Sequence, residues 1–374
     1  MRILHVTDHY LPVLGGIETH VSALARHQAH RGDDVTVLTS TPAFADGRLF
    51  AGDDAVTVRR TSLPAGFRTD FAAFDIVHAH VSVVAPFTAP MVSVAARSGV
   101  PTVVTVHSLW NGLGPVPELV ARLTGMRGAP VTWTAVSEVA GRELAQRLPS
   151  SMTVGVLPNA ADVTPRPASP ARDQERAVRL VSTMRVARRK RPLALLQMYA
   201  ALRRITDVAT ELTIVGDGPL RARVERYARR VGLGDHVTVT GRLEPPEVLA
   251  ELSQADVYVA PALLESFGIA ALEARCVGLP VVGLASTGMS EFVGHGVEGF
   301  LCRDDVDMVT RLRAMCEDDE LRLRVSEHNR TTPSAMTWQR ALLSHDAVYD
   351  EVLAGHSRAR RVSGMSASGR GFTR

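Results

Sequence analysis

Lysine is nearly absent from this 374-residue chain: 41 of its 42 basic side chains are arginine, and the remaining one is Lys190. A GC-rich bacterial genome accounts for the bias as a whole, which makes the one retained lysine a position to follow. Cysteine is scarce too. Cys276, Cys302 and Cys316 lack metal-ligand spacing and exclude a disulfide framework, which points to a reducing compartment. No apolar run approaches the ~20 residues of a membrane span. The opening Met1-Arg2-Ile3-Leu4-His5-Val6 enters a strand without the charged and apolar regions of a signal peptide. A net charge of only +3 excludes a chain built as a whole to bind nucleic acid. The dinucleotide fingerprint is missing as well: Gly15-Gly16 is not G-x-G-x-x-G, and the second strand ends in Thr39-Ser40-Thr41 rather than an acid. The expected location is the bacterial cytoplasm, with a peripheral contact at the inner face of the membrane kept open.

What is present is a globular α/β pattern. Apolar residues make up 45% and mean hydropathy is +0.05, and the length suits two α/β domains. Strand-like runs at 2–7, 35–39, 56–60, 75–80, 102–107 and 132–136 alternate with helical periodicity at 17–31, 85–98 and 138–147. Prolines and charges without a period at 163–177 read as a linker. The alternation then restarts. Strands are predicted at 179–183, 212–215, 237–240, 257–260, 281–284 and 299–301, and helices at 191–205, 219–231, 246–253, 267–277, 306–316 and 336–354. The pattern predicts two doubly wound, parallel-sheet, Rossmann-like domains, 1–165 and 166–335, facing each other across a cleft. The helix at 336–354 is expected to pack back on the first domain, and 356–374 to be a disordered basic tail. Ligands of such sheets bind beyond the carboxyl ends of strands.

The unusual residues sit at those ends. In the second domain, Pro261 closes a strand, and Glu265-Ser266-Phe267-Gly268-Ile269 leads into the helix that carries Glu273. Ser266 reads as the N-cap, and the N–H groups of Phe267, Gly268 and Ile269 as donors for a diphosphate. Glu265 and Glu273 are carboxylates suited to vicinal hydroxyls; alone, either reads as an ordinary loop or helix charge. Arg185 follows the domain's first strand and Lys190 opens the next helix. The two are cations suited to a diphosphate, with lysine acting as a compact point charge. Gly216-Asp217-Gly218-Pro219 reads as a turn or a short phosphate loop. Gly241-Arg242 is placed to approach a base, and Glu291 opens a segment after another strand. Asp305-Val306-Asp307 spells a D-x-D pattern but reads as helix capping. In the first domain Gly16 lies in the glycine pair after strand one. His107 ends a strand, and His78 and His80 end another, where packing is the plain alternative.

Taken in order, Gly15-Gly16, Asp75-Ile-Val-His-Ala-His80, Ala135-Val-Ser-Glu138, Leu157-Pro-Asn159, Arg185 to Lys190, Gly216-Asp-Gly-Pro219, Glu265 to Glu273 and Thr287-Gly-Met-Ser-Glu291 resemble the retaining GT-B glycosyltransferases with the E-x7-E motif. The resemblance covers nearly the whole chain. It implies transfer of a hexose from a UDP- or GDP-sugar to a hydroxyl acceptor with retention and without a metal or other cofactor. By that resemblance Arg185 and Lys190 hold the leaving diphosphate, Glu273 the ribose, and Glu265 and His107 the transferred sugar. Gly16, Gly216, Arg242, Ser266, Phe267, Gly268 and Ile269 complete the donor site. The acceptor is a small molecule, lipid or glycan, met by loops near 41–54, 62–72 and 108–130, where 116–127 reads as a short amphipathic or groove-lining helix. The oligomeric state stays open. The chain departs from the family pattern at Thr287, at Arg191 where a glycine often follows the lysine, and at Ala160. The alternatives are a GT-B sugar-nucleotide epimerase, a phosphorylase, for which Lys190 is misplaced, and a non-catalytic sugar-nucleotide-binding protein.

Overall fold

The computed structural model describes residues 1–13, 15–43, 55–110, 125, 129–161, 163 and 176–368, with side chains up to 358. The linker and most of the expected acceptor loops, including all of 116–127 but residue 125, lie outside the described residues.

The chain divides into two compact units, Met1–Asn159 with Trp338–Arg374, and Ala160–Thr337. In the first, β1 (Arg2–Thr7), β2 (Asp34–Thr39), β3 (Val56–Arg60), β4 (Ile76–Val81), β5 (Thr102–Val106), β6 (Thr132–Ala135) and β7 (Val154–Val156) form one parallel sheet in the order 3-2-1-4-5-6-7. Every residue of β4 and β5 is buried, as expected of a parallel sheet covered on both faces. The order reverses direction between β1 and β4, so their carboxyl ends, Thr7 and Val81, open the switch-point crevice where α/β sheets hold ligands.

The last helix, Trp338–Ser368, belongs to this first unit, and its own side chains explain why. Trp338 stacks on His20 and His27, Asp346 takes a two-pronged bond from Arg31, and Tyr349 is fully buried against Ile3, Ile76 and Val103. The helix continues beyond 354 to Ser368, where a disordered tail from 356 was the expectation. Helical periodicity is weak in that arginine- and serine-rich stretch, and the run is an extension of a helix already anchored upstream.

In the second unit, β8 (Val178–Thr183), β9 (Thr210–Val215), β10 (Val237–Gly241), β11 (Val257–Ala260), β12 (Val281–Leu284) and β13 (Gly299–Cys302) form a second parallel sheet in the order 10-9-8-11-12-13. Its core joins Leu180, Ile214, Val257 and Val282 with Leu196, Tyr199 and Leu312 from covering helices. Here the switch point lies between β8 and β11. Residues 184–191 leave one side of it and residues 261–268 the other.

A helix at Asp319–Thr331 was not expected from the sequence. Beside Val325, its buried face carries the polar residues Arg322, Ser326 and Asn329, and these three bond the backbone carbonyls of Met315, Gly278 and Leu279. A hydrophobic period does not reveal a face of that kind.

Candidate functional site

The segment after β8 is shaped by its neighbour. Met184 N–H donates to the Val215 carbonyl, Val186 N–H to that of Asp217, and Leu220 N–H to that of Val186. Gly216 and Gly218 make this zipper possible. A Cβ on Gly216 would lie 2.0 Å from the Met184 carbonyl oxygen, and one on Gly218 2.6 Å from that of Val186, at φ of +135° and +158°. Gly216 therefore holds the backbone beside Arg185. With Met184 and Val186 buried, Arg185 projects into solvent and has no side-chain partner among the described residues.

Lys190 ends a single 3-10 turn, Arg188–Lys190, rather than opening the helix, which starts at Pro192. Its Nζ donates to Glu265 Oε2 at 2.5 Å. This bond spans the switch point, from the β8 side to the β11 side. Arg191 makes the same crossing. Its guanidinium donates to the Pro261 carbonyl at 2.9 Å and in two prongs to Asp305 at 2.9 and 2.6 Å. Arg191 is the one non-glycine residue with positive φ among the described residues (φ 56°, ψ 44°). A glycine would adopt this left-handed geometry freely. Here an arginine occupies it and uses its fork to tie the loop down. The Asp305-Val-Asp307 pattern is spent on structure: Asp304 caps the helix at Asp307 N, Asp305 serves Arg191, and Asp307 accepts from Arg303 N.

On the β11 side, Ser266 is not the cap. Gly268, in the left-handed region at φ 96°, caps the helix Ile269–Cys276. The chain must turn sharply there, because Gly288 presses against it: a Cβ on Gly288 would meet the Ser266 carbonyl oxygen at 2.1 Å. The amides of Phe267, Gly268 and Ile269 donate no hydrogen bond among the described residues, so this helix end keeps the donors an anion requires. Phe267 itself is buried against Phe292. Glu273, half-buried on the same helix, has no ion-pair or hydrogen-bond partner among the described residues, and burial pushes its carboxyl up to about 7. Burial also pushes the Tyr258 hydroxyl up, with Glu265 and Glu273 both adding to the effect. The two glutamates therefore act on one patch. Glu291 lies in a 3-10 turn, Gly288–Glu291. Gly241 bonds Gly216, while exposed Arg242 follows edge strand β10, two strands from β8 and away from the Lys190–Glu265 pair.

In the first unit, Gly16 is the exposed first residue of the helix Gly16–His30. His107, expected at a strand end near the transferred sugar, is not a lone histidine. It is buried, and its Nε2 lies 3.0 Å from His80 Nδ1. His80 Nε2 in turn meets His5 Nδ1 at 3.0 Å, and His5 Nε2 meets Gln28 Oε1 at 2.7 Å. Burial pulls His107 down to about 3 and His5 to about 4, so these rings are neutral near pH 7. His5, His78 and His80 come close enough to hold a metal ion. Every one of their six ring nitrogens already has a hydrogen-bond partner, however, which leaves no lone pair aimed at an ion. His5 and Gln28 were not anticipated as part of this network. The alternation His78-x-His80 beside His5 on the adjoining strand was the available signal.

Among the described residues no helix is long and apolar enough to cross a membrane. Residues 14–165 match a family model for "Glycosyltransferase Family 4" and residues 168–332 one for "Glycosyl transferases group 1". A glycogen synthase of Mycobacterium tuberculosis is 28% identical over 93% of this chain and 94% of its own. A GDP-mannose-dependent alpha-(1-6)-phosphatidylinositol monomannoside mannosyltransferase of the same species is 29% identical over 80% and 84%. Among solved structures, Anabaena HepE in complex with UDP and glucose superposes with a TM-score of 0.74 at 17% identity, covering 94% of this chain and 99% of that one.

Proposed function

Because the chain belongs to the GT-B glycosyltransferases, we propose that it moves a hexose from a UDP- or GDP-sugar to a hydroxyl acceptor with retention of configuration. The observation that carries this reading is the Lys190–Glu265 bond across the switch point of the second sheet, with Arg185, which has no side-chain partner among the described residues, on the same loop after β8. Lys190 has three N–H donors, and Glu265 takes one. The others are left for the diphosphate, and Arg185 adds a fork suited to phosphate oxygens. As the sugar–oxygen bond breaks, its electron pair passes to the diphosphate, and these two cations stabilise the charge that develops. They take the place of the divalent metal that other transferases use.

Glu265 would then orient both Lys190 and the transferred sugar. The amides of Phe267, Gly268 and Ile269 would complete the anion site, and Glu273 would accept from the ribose hydroxyls. Ser266 and Arg242 are proposed as outer donor contacts, and Gly216 as the residue that sets Arg185. In the first unit, Gly16 and His107 are proposed to contact the donor phosphate and the sugar. A donor linked to UDP is supported by the UDP and glucose in the HepE structure, and one linked to GDP by the mannosyltransferase relative. That relative's name also supports a lipid or glycan acceptor. The test is a thermal-shift screen of UDP- and GDP-sugars, followed by release of free nucleotide with the donor found. Nucleotide-dependent stabilisation with neither hydrolysis nor transfer favours a binding protein. Conversion of one nucleotide-sugar into another favours an epimerase.

A further inference from the structure

The crevice between β8 and β11 opens because the ladder between the two strands stops early, and one side chain takes over where it stops. Among the described residues the strands pair at Val257 with Leu180 and at Tyr258 with Val181, and no further. In a parallel ladder a residue bonds the two residues that flank its opposite number, its carbonyl taking the N–H of the later one. Continuing this register would set Thr183 opposite Ala260, so the Thr183 carbonyl is due the N–H of residue 261. That residue is Pro261, which has none. The carbonyl does face β11, because alternate residues of β8 turn that way: the Arg179 carbonyl accepts from Asp256 N–H, whereas Met184 N–H turns to Val215 on the other side. The Tyr258 hydroxyl fills the gap and donates to the Thr183 carbonyl at 3.2 Å. Beside it, Ser182 Oγ donates to the Val259 carbonyl at 2.6 Å. Tyr258 is buried, and burial pushes its hydroxyl up, with Glu265 and Glu273 adding to the effect. It therefore stays a donor near neutral pH and lies within the field of both carboxylates.

The chain runs from Thr183 through Met184 and Arg185 to the turn that ends in Lys190, and from Pro261 through Leu264 to Glu265. The Lys190–Glu265 bond thus closes a ring whose base is the Tyr258 bond to Thr183. The bond at the rim is partly solvated, with side chains 36% and 18% exposed, while the one at the base comes from a buried ring. We propose that Tyr258 is a positioning residue: its hydroxyl replaces the N–H that Pro261 lacks, and so fixes the separation of β8 and β11 at which Lys190 meets Glu265. What that separation does for a donor rests on the proposed transferase reading; the geometry itself does not.

Lys190 is the chain's one lysine, so lysine labelled with carbon-13 and nitrogen-15 gives a single side-chain ammonium signal from the ligand-free full chain. Glu265→Gln marks the position of that signal once the ion pair is lost. Tyr258→Phe keeps the ring and removes the hydroxyl. The expected result is that Tyr258→Phe moves the Lys190 signal from its wild-type position toward that of Glu265→Gln. A tyrosine that only packs would lower the melting temperature and leave the signal in place. A folded Tyr258→Phe protein with an unmoved Lys190 signal therefore overturns the inference. Pro261→Ala supplies the missing N–H, so adding it to Tyr258→Phe is expected to restore folding if the single variant fails to fold. A double variant that also fails to fold overturns the inference. No nucleotide or sugar is present in these measurements, so an absence of sugar transfer would count against the proposed function and leave the role of Tyr258 intact.

Discussion

Arg191 offers a test in which the usual ranking of two substitutions reverses. Its backbone is left-handed, which costs a non-glycine residue about 1–2 kcal/mol. The side chain offsets that cost through Asp305 and the Pro261 carbonyl. The Asp305 pair is partly exposed, at 21% and 40%, so screening limits it to about 0.5–1 kcal/mol. The bond to Pro261 contributes roughly 1 kcal/mol. Arg191→Ala loses both contacts and keeps the strained backbone, and should destabilise the protein by about 1.5–2 kcal/mol. Arg191→Gly loses the same contacts but relaxes the backbone, and should recover about 1 kcal/mol of that loss. Urea denaturation with an unchanged slope provides the readout. The glycine variant is expected to be more stable than the alanine variant. An alanine variant equal to or more stable than glycine would refute the strained-backbone argument.

Other perturbations follow from the same geometry. Lys190→Ala should abolish most turnover while the melting temperature stays near wild type, since the side chain is 36% exposed and its ion pair is half-solvated; Lys190→Arg should also be impaired, because a fork replaces a point charge. The Glu273 carboxyl is raised in the fold, so the ligand-free protein binds more protons than the unfolded chain between about 4.5 and about 7 and loses stability as pH rises through that window. Glu273→Gln should flatten this slope, as read by denaturation across pH. The loss removed amounts to about 1–3 kcal/mol, since each tenfold change in proton affinity corresponds to about 1.4 kcal/mol and solvent relieves part of it. Nucleotide affinity should rise with pH through about 7 in wild type and stay flat in Glu273→Gln, as measured by titration calorimetry. Gly288→Ala should drive a methyl into the Ser266 carbonyl, destabilise the protein by about 1–3 kcal/mol and weaken anion binding at the Phe267–Ile269 amides.

Much of the strand pattern was readable because buried parallel strands are runs of apolar, β-branched residues, as in Ile76–Val81 and Val257–Ala260. The strand-end positions of Arg185, Glu265 and His107 followed from the same alternation. What escaped was conformation and pairing. Arg191 looked like one more member of a basic run, because left-handed φ in a non-glycine residue has no sequence mark. Ser266 looked like a cap, but Gly288 packing on the loop forces the turn through Gly268 instead. The helix Asp319–Thr331 hides because polar Arg322, Ser326 and Asn329 are buried beside Val325, which breaks the apolar period of its inward face. His107 read as a lone histidine at a strand end. Its chain to His80, His5 and Gln28 depends on the parallel register of β1, β4 and β5, which brings residues 27 and 75 positions apart into hydrogen-bond contact.

The central claim is that Lys190 and its partner Glu265 form the donor-phosphate grip of a working transferase. Nucleotide release from a panel of UDP- and GDP-sugars, followed over time for wild type and for folded Lys190→Ala, tests it most directly. The account predicts release of UDP or GDP by wild type from at least one donor, accelerated when a matching acceptor is added, and loss of that release in Lys190→Ala. Equal release by both proteins, or none by wild type from any donor it binds, would contradict it.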